Sequence, residues 1–304
     1  MGRKDIGYFG GKMRFTIGTD PEFFLHDGKK IVSAIPYIAG TKHNPQNLNN
    51  GSKLSFDNVA LEFATQPAID LKEFICNIEN TYKEVLKNIP NGFSIIPKSS
   101  HVFEKKYLFH EEAKKFGCDP DFNAWTISMN MPSKPTTNLR SCGAHVHVGN
   151  LDEYPFLLEM EGKIQTVRTM DCILGISSII LDSSKESMDR KKLYGKAGCH
   201  RPTDYGIEYR VLSNFWLKSP KLVELIYNMV GDCLEIVKDK KDNQLIEECK
   251  GQNEICRIIN DGDKISALTI INHVVYEYLS DITKNSLNNV LNKEFEFEKE
   301  WKLK

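Results

Sequence analysis

Four short segments of this 304-residue chain combine an apolar face, as a buried strand requires, with an opposite face of metal- and phosphate-binding side chains. In Ala144-His145-Val146-His147-Val148 the period of two sets both imidazoles opposite the aliphatics. Ile207-Glu208-Tyr209-Arg210-Val211 does the same with a carboxylate and a guanidinium. Glu62 stands between Ala60 and Ala64, so the sheet surface around it is open rather than packed. Asp20-Pro21-Glu22 carries two carboxylates that share a face if the segment is extended, and a residue preceding proline favours that conformation.

If these faces line one concavity, Asp20, Glu22, Glu62, His145, His147 and Glu208 meet there, too much like charge to bury without compensation. Cations supply it. Carboxylate-rich ligation with one or two imidazoles suits Mg2+ or Mn2+, two or more ions, better than a structural zinc site, for which clustered cysteines are missing. Any one of these pairs, taken singly, reads as an edge strand exposed to water. Four strands whose polar positions are carboxylate, imidazole and arginine do not.

Between the histidines and Glu208 runs a basic, glycine-bearing stretch from Arg190 to Pro202. It reads as a loop able to wrap an anion, with Arg190, Lys196 and Arg201 as candidate nucleotide or phosphate contacts and Lys191 and Lys192 as a solvated turn. With Arg210 it would hold a polyphosphate bridged to the metals, the usual division of labour in phosphoryl transfer. Neither a P-loop nor a dinucleotide fingerprint occurs. His26, His43, His101, His110 and His273 read as structural or exposed, and the Trp and Met positions as core.

The elements that must position these residues are mixed. Met13 to Gly18, Glu22 to Ile35 with a hairpin turn at Asp27-Gly28, Leu54 to Gln66, Phe93 to Pro97, Ala124 to Met131, Ala144 to Gly149 and Ile207 to Leu212 read as strands. Asp70 and Glu73 form a capping box ahead of an apolar stripe from Leu71 to Ile89. Pro155 to Ile180, a helix opened by Ser219-Pro220, Ile265 to Ile282 and Ser286 to Leu291 complete the helical set. Strands joined by hairpins predict an α+β fold, a largely antiparallel sheet with helices on one face. No linker or repeat divides the chain, so 1–304 reads as a single domain.

Lys and Arg number 40 against 41 Asp and Glu, a formal net charge of -1, which excludes bulk nucleic-acid binding. The longest apolar run, Cys172 to Leu181, is half a bilayer span and carries two serines, so no membrane segment is expected. Eight scattered cysteines without a C-x-x-C pair, and a start without an apolar signal region, read as reduced thiols of a cytoplasmic protein.

In order and content, Phe15 to Phe23, Val59 to Phe63, Cys142 to Gly149 and Tyr205 to Val211 resemble the phage-type carboxylate-amine ligases of the glutamine synthetase and glutamate-cysteine ligase superfamily. The resemblance spans roughly 13–216. It implies a curved antiparallel sheet, with helices on its convex face, on which ATP phosphorylates a carboxylate and an amine displaces the phosphate. The substrates would be small-molecule or peptide acids and amines. It also implies that Asp20, Glu22, Glu62 and Glu208 are metal ligands, that His145 or His147 serves a metal or the phosphates, and that Arg210 meets phosphate or substrate. In this chain the first acid is Asp rather than Glu and a proline splits the pair, so Asp20 is either ligand or turn residue. The rival readings are a metal-dependent hydrolase, which would usually draw on more histidines than His200 and His273 from later strands, and a phosphagen-kinase-like phosphotransferase.

Overall fold

The computed structural model describes residues 15–115, 121–130 and 138–303. Its strands are β1 (Phe15–Thr19), β2 (Glu22–His26), β3 (Ile31–Val32), β4 (Gln46–Asn47), β5 (Lys53–Asp57), β6 (Ala60–Ala64), β7 (Ser94–Ile96), β8 (Ser100–Val102), β9 (Phe122–Asn123), β10 (Ser128–Met129), β11 (Leu139–Ser141), β12 (Val146–Asn150), β13 (Cys199–Pro202) and β14 (Gly206–Tyr209). One sheet runs β1-β12-β14-β13-β9-β10 and a second runs β3-β2-β6-β5-β4, with β7 also on β2 and a separate β8-β11 ribbon. Each of these strand pairings is antiparallel.

The two sheets join along one seam. Ile17 and Ala68 exchange both backbone hydrogen bonds, at 2.9 and 2.7 Å, and Thr65 N donates to Thr19 O at 3.0 Å, so the chain leaving β6 runs beside β1. The result is a curled antiparallel half-barrel, as the α+β reading expects.

One face of the first sheet is apolar because Ile17, Val146, Val148, Ile207 and Tyr209 alternate with the polar set, and all five are buried. That face packs on helices: the Tyr209 hydroxyl donates to Asp171 of the Met160–Leu181 helical run at 2.7 Å. Asp171 also accepts from Trp125 Nε1 and Gly198 N, each at 2.6 Å, which ties the helix to the turn before β13. Its burial pushes the carboxyl up to about 6 despite these hydrogen bonds. One apolar cluster gathers residues from Phe15 to Trp301.

Most predicted elements are present. The Leu71–Lys87 helix is capped by Asp70, which accepts from Glu73 N, while Glu73 reaches back to Ile69 N. The β2-β3 hairpin turns at Gly28 with φ +88, a conformation open to glycine without penalty. Of the first strand call, Met13 and Arg14 lie outside the described residues, as does Met131.

Several expectations need correction. Leu54 to Gln66 is a hairpin, turning at Asn58 with φ 55, rather than one strand. Of the described residues in Ala124 to Met131, only Ser128–Met129 is strand, and 124–127 is the tip of the β9-β10 hairpin. Pro155 to Leu158 is a separate 3-10 turn, and the helix begins at Met160. The run Met160–Leu181 is, by length and composition alone, apolar enough to cross a membrane, but 72% of its apolar window is buried inside the protein, the signature of a core helix. Lys185–Lys191 is a helix rather than the start of a loop. Met129 and Met160 are exposed rather than core. The seven described cysteines are free, five of them buried.

Candidate active site

Cross-strand register builds the site. His147 lies opposite Glu208 and opposite Gly18, and Glu208 lies opposite Arg201, so Gly18, His147, Glu208 and Arg201 form a row on the non-helical face. Asp20, two residues beyond Gly18, and His145 and Arg210, two residues from His147 and Glu208, extend that row along their strands. The second sheet adds Glu22 opposite Glu62 across β2 and β6. His200 is paired with Tyr209 and therefore belongs to the helix-facing side.

Four ligand atoms converge. Asp20 Oδ1 is 2.9 Å from His145 Nδ1 and 3.2 Å from His147 Nε2, and His145 Nδ1 is 3.2 Å from Glu208 Oε1. All four atoms are buried, and none of them makes a hydrogen bond within the described residues. Atoms about 2.1 Å from a common octahedral cation, at right angles, lie about 3.0 Å apart. Asp20, His147 and Glu208 have the burial and spacing to hold an ion. Asp20 thus sits with the ligand set, although a proline follows it.

Guanidinium groups flank this centre. Arg201 donates to Glu208 Oε2 at 2.8 Å, and Arg210 Nε lies 3.3 Å from Glu208 Oε1. Arg190 is buried and turned inward, donating to the carbonyls of Val211 at 2.9 Å and Arg210 at 3.2 Å. It therefore holds the strand end that carries Arg210. A side chain at Gly143 would meet Arg190 at 2.7 Å and His145 Nε2 at 3.3 Å, so glycine there lets the guanidinium pass. Lys191, expected in a solvated turn, is buried and donates to Gly195 O at 3.2 Å. Lys196 is exposed and lines neither cavity described next.

A tight cleft of about 50 Å³ lies on one side, where Glu22, Asp57, His145, Arg190 and Arg210 meet. A roomier cavity of about 470 Å³ lies on the other, bounded by Asp20, Glu62, His147 and Tyr205 over a floor that includes Gly18 and Gly149. Among the described residues, no lysine or arginine lines the second.

The titration of the cluster reflects excess negative charge. Burial, then the neighbouring Asp57, pushes Glu22 up to about 7 even though its Oε2 accepts from Gly143 N at 2.7 Å. Burial, with Asp20, Asp57 and Glu22 adding to it, holds Glu62 well above the carboxylate range. Burial opposes charge at Asp20 too, but His145 and His147 outweigh it and lower that carboxyl. Conversely, burial works against charge on His145, and Asp20 and Glu208 overcome it, raising the imidazole to about 9. His147 moves the same way for the same reason.

Two neighbours were missed by sequence reasoning. Asp57 was hidden by reading its hairpin as one strand, and the Asp57-Asn58 pair was the available signal. Tyr205, whose hydroxyl lies 2.6 Å from His147 Nδ1, sits in the β13-β14 turn and carried no spacing cue.

A charged, dehydrated centre of this kind, on a face left unpacked by the fold, is the equipment of an enzyme. The profile of the phage phiEco32-like COOH.NH2 ligase-type 2 family matches residues 122–291, more than half of the chain, and the chain belongs to that family. That family is one of carboxylate-amine ligases. The match includes both histidines, Arg201, Glu208 and Arg210, starts after Asp20, Glu22 and Glu62, and continues well past Trp216, where the sequence motifs end. Among solved structures, a bifunctional glutathione synthetase from Pasteurella multocida is similar at 13% identity and TM-score 0.39, covering 91% of this chain and 48% of that one. The ligase PafA, in complex with the prokaryotic ubiquitin-like protein Pup, is similar at 13% identity and TM-score 0.38, covering 96% of this chain and 62% of that one. The chain thus spans less than two thirds of either. No curated protein matches it.

Proposed function

We propose that the chain is an ATP-dependent ligase that joins a carboxylate to an amine through an acyl phosphate, releasing ADP and phosphate. The observation that carries this reading is the convergence of Asp20 Oδ1, His145 Nδ1, His147 Nε2 and Glu208 Oε1, buried and without hydrogen-bond partners among the described residues, beside two arginines. Unpartnered donors of this chemistry fit Mg2+ or Mn2+: Asp20, His147 and Glu208, with His145 beside them, would hold one ion, and Glu22 and Glu62 a further one. Bound ions neutralise polyphosphate charge and polarise the transferred phosphoryl group.

The chain's own residues do the rest. Arg210 and Arg201, fixed against Glu208, face the phosphoryl group and stabilise charge that develops on its oxygens. The substrate carboxylate oxygen attacks the terminal phosphorus and ADP leaves; the amine then attacks the acyl carbon, and phosphate departs with that oxygen. Asp57, on the wall of the tight cleft, is the carboxylate that we assign to take the amine's proton.

The acid and amine belong to small molecules or peptides. We read the chain as one catalytic domain, supported by the apolar cluster running from Phe15 to Trp301, and its free thiols fit the reducing cytoplasm, of the host if the chain is phage-encoded. The test is a coupling screen of carboxylate and amine pools with ATP and Mn2+, read by mass for condensation with loss of one water. Condensation that proceeds without nucleotide would refute the proposal.

A further inference from the structure

Tyr205 lies in the turn between β13 and β14, where Asn150 N donates to its carbonyl at 3.0 Å and ties that turn to the end of β12. Its ring stacks near His147, centroids 6.2 Å apart and planes 27° apart, and passes over Gly149, where a Cβ would come within 3.4 Å of it. Its hydroxyl meets His147 Nδ1 at 2.6 Å.

A neutral imidazole has one N–H and one lone pair, on different nitrogens. The other nitrogen, Nε2, is buried, 3.2 Å from Asp20 Oδ1, and makes no hydrogen bond within the described residues. An N–H at Nε2 would point at the Asp20 carboxylate and bar a cation from the centre, whereas a lone pair there can join the converging ligand atoms around one. The remaining proton then belongs on Nδ1, donated to the Tyr205 oxygen.

We propose that Tyr205 is a positioning residue that fixes His147 as the tautomer whose Nε2 lone pair faces the Asp20–Glu208 centre. The inference rests on the divalent-cation reading of that centre given above. Partners of this kind, one bond removed from the cation, orient the ring and raise its basicity, and their loss typically costs 10- to 100-fold in affinity. Because Tyr205 also lines the roomier cavity, whatever occupies that cavity touches the group that orients the ligand.

The test uses Mn2+ alone, titrated into the full chain without nucleotide and followed by the electron paramagnetic resonance of free Mn2+. Tyr205→Phe keeps the ring and removes the hydroxyl. It should bind Mn2+ roughly 10- to 100-fold more weakly than the parent, with an unchanged metal-free urea midpoint. In a His147→Ala background the same substitution should add nothing, since the hydroxyl then has no imidazole to orient. A Tyr205→Phe affinity equal to the parent's, or an equal loss in both backgrounds, would overturn the inference and leave the cation reading intact. A parent chain that binds no Mn2+ would overturn both.

Discussion

Stripping divalent metal and raising the pH should destabilise the protein in a way that His145 dominates above neutrality. Without cations, Asp20 at 2.9 Å and Glu208 at 3.2 Å hold a proton on His145 against the cost of burial, raising it from 6.5 to about 9. Below 6.5 the imidazole is charged in both folded and unfolded chains, and the stabilisation is fully present. Between 6.5 and 9 the unfolded chain gives up its proton first, so stability falls as pH rises, and it levels off above 9. The separation of roughly 2.5 pH units corresponds to about 3 kcal/mol, lost at up to about 1.4 kcal/mol per unit. Glu22, raised from 4.5 to about 7, and Glu62, held well above the carboxylate range, give losses of the same sign, while burial lowers Lys191 to about 8 and gives a gain above that pH, so from 7.5 to 9 the comparison with a His145 variant is what isolates that imidazole. His147 contributes there in the same direction. Urea midpoints in EDTA at several pH values should show the decline in the parent and a shallower one in His145→Gln. Saturating Mn2+ should reverse it, because cation binding needs the imidazole unprotonated. A slope from 7.5 to 9 in His145→Gln identical to the parent's would refute the reasoning.

Glu208→Gln should abolish the stabilisation by Mn2+ with ATP, which in the parent reaches about 2.7 kcal/mol at 100 times the dissociation constant; thermal denaturation with and without ligands reads it. Arg210→Lys keeps the charge but loses the planar fork that meets Glu208, so kcat should fall by about 10²- to 10³-fold while the circular dichroism spectrum stays unchanged. Gly143→Ala sets a methyl 2.7 Å from the buried Arg190 guanidinium and should cost about 1–3 kcal/mol in chemical denaturation, with activity falling because Glu22 accepts from Gly143 N and the displaced Arg190 holds the Arg210 carbonyl.

The faces of the site were legible because strand periodicity is local: alternation in 144–148 and 207–211 assigned the polar side before any pairing was known. Register was not legible. That His147 meets Glu208, and Glu208 meets Arg201, is decided by pairings across 61 and 7 residues, as the numbering of each pair shows. Asn58 turns its hairpin with a positive φ that asparagine tolerates, a weaker signal than the Asp27-Gly28 turn that was read correctly. Composition misled at Lys191, because a run of cations usually marks solvent and this lysine donates to a buried carbonyl. Beyond Trp216 the chain is helices whose pattern speaks of packing and not of chemistry.

The claim at the centre of this account is that the substrate carboxylate, once phosphorylated by ATP, hands one of its oxygens to the phosphate. Once a turning-over pair is found, the acid is supplied with ¹⁸O in its carboxylate, and the nucleotide product and released phosphate are analysed by mass. One heavy oxygen in each orthophosphate, with ADP as the nucleotide product, is the expected result. Label in AMP, label retained on a phosphorylated acid, or phosphate free of label would contradict it.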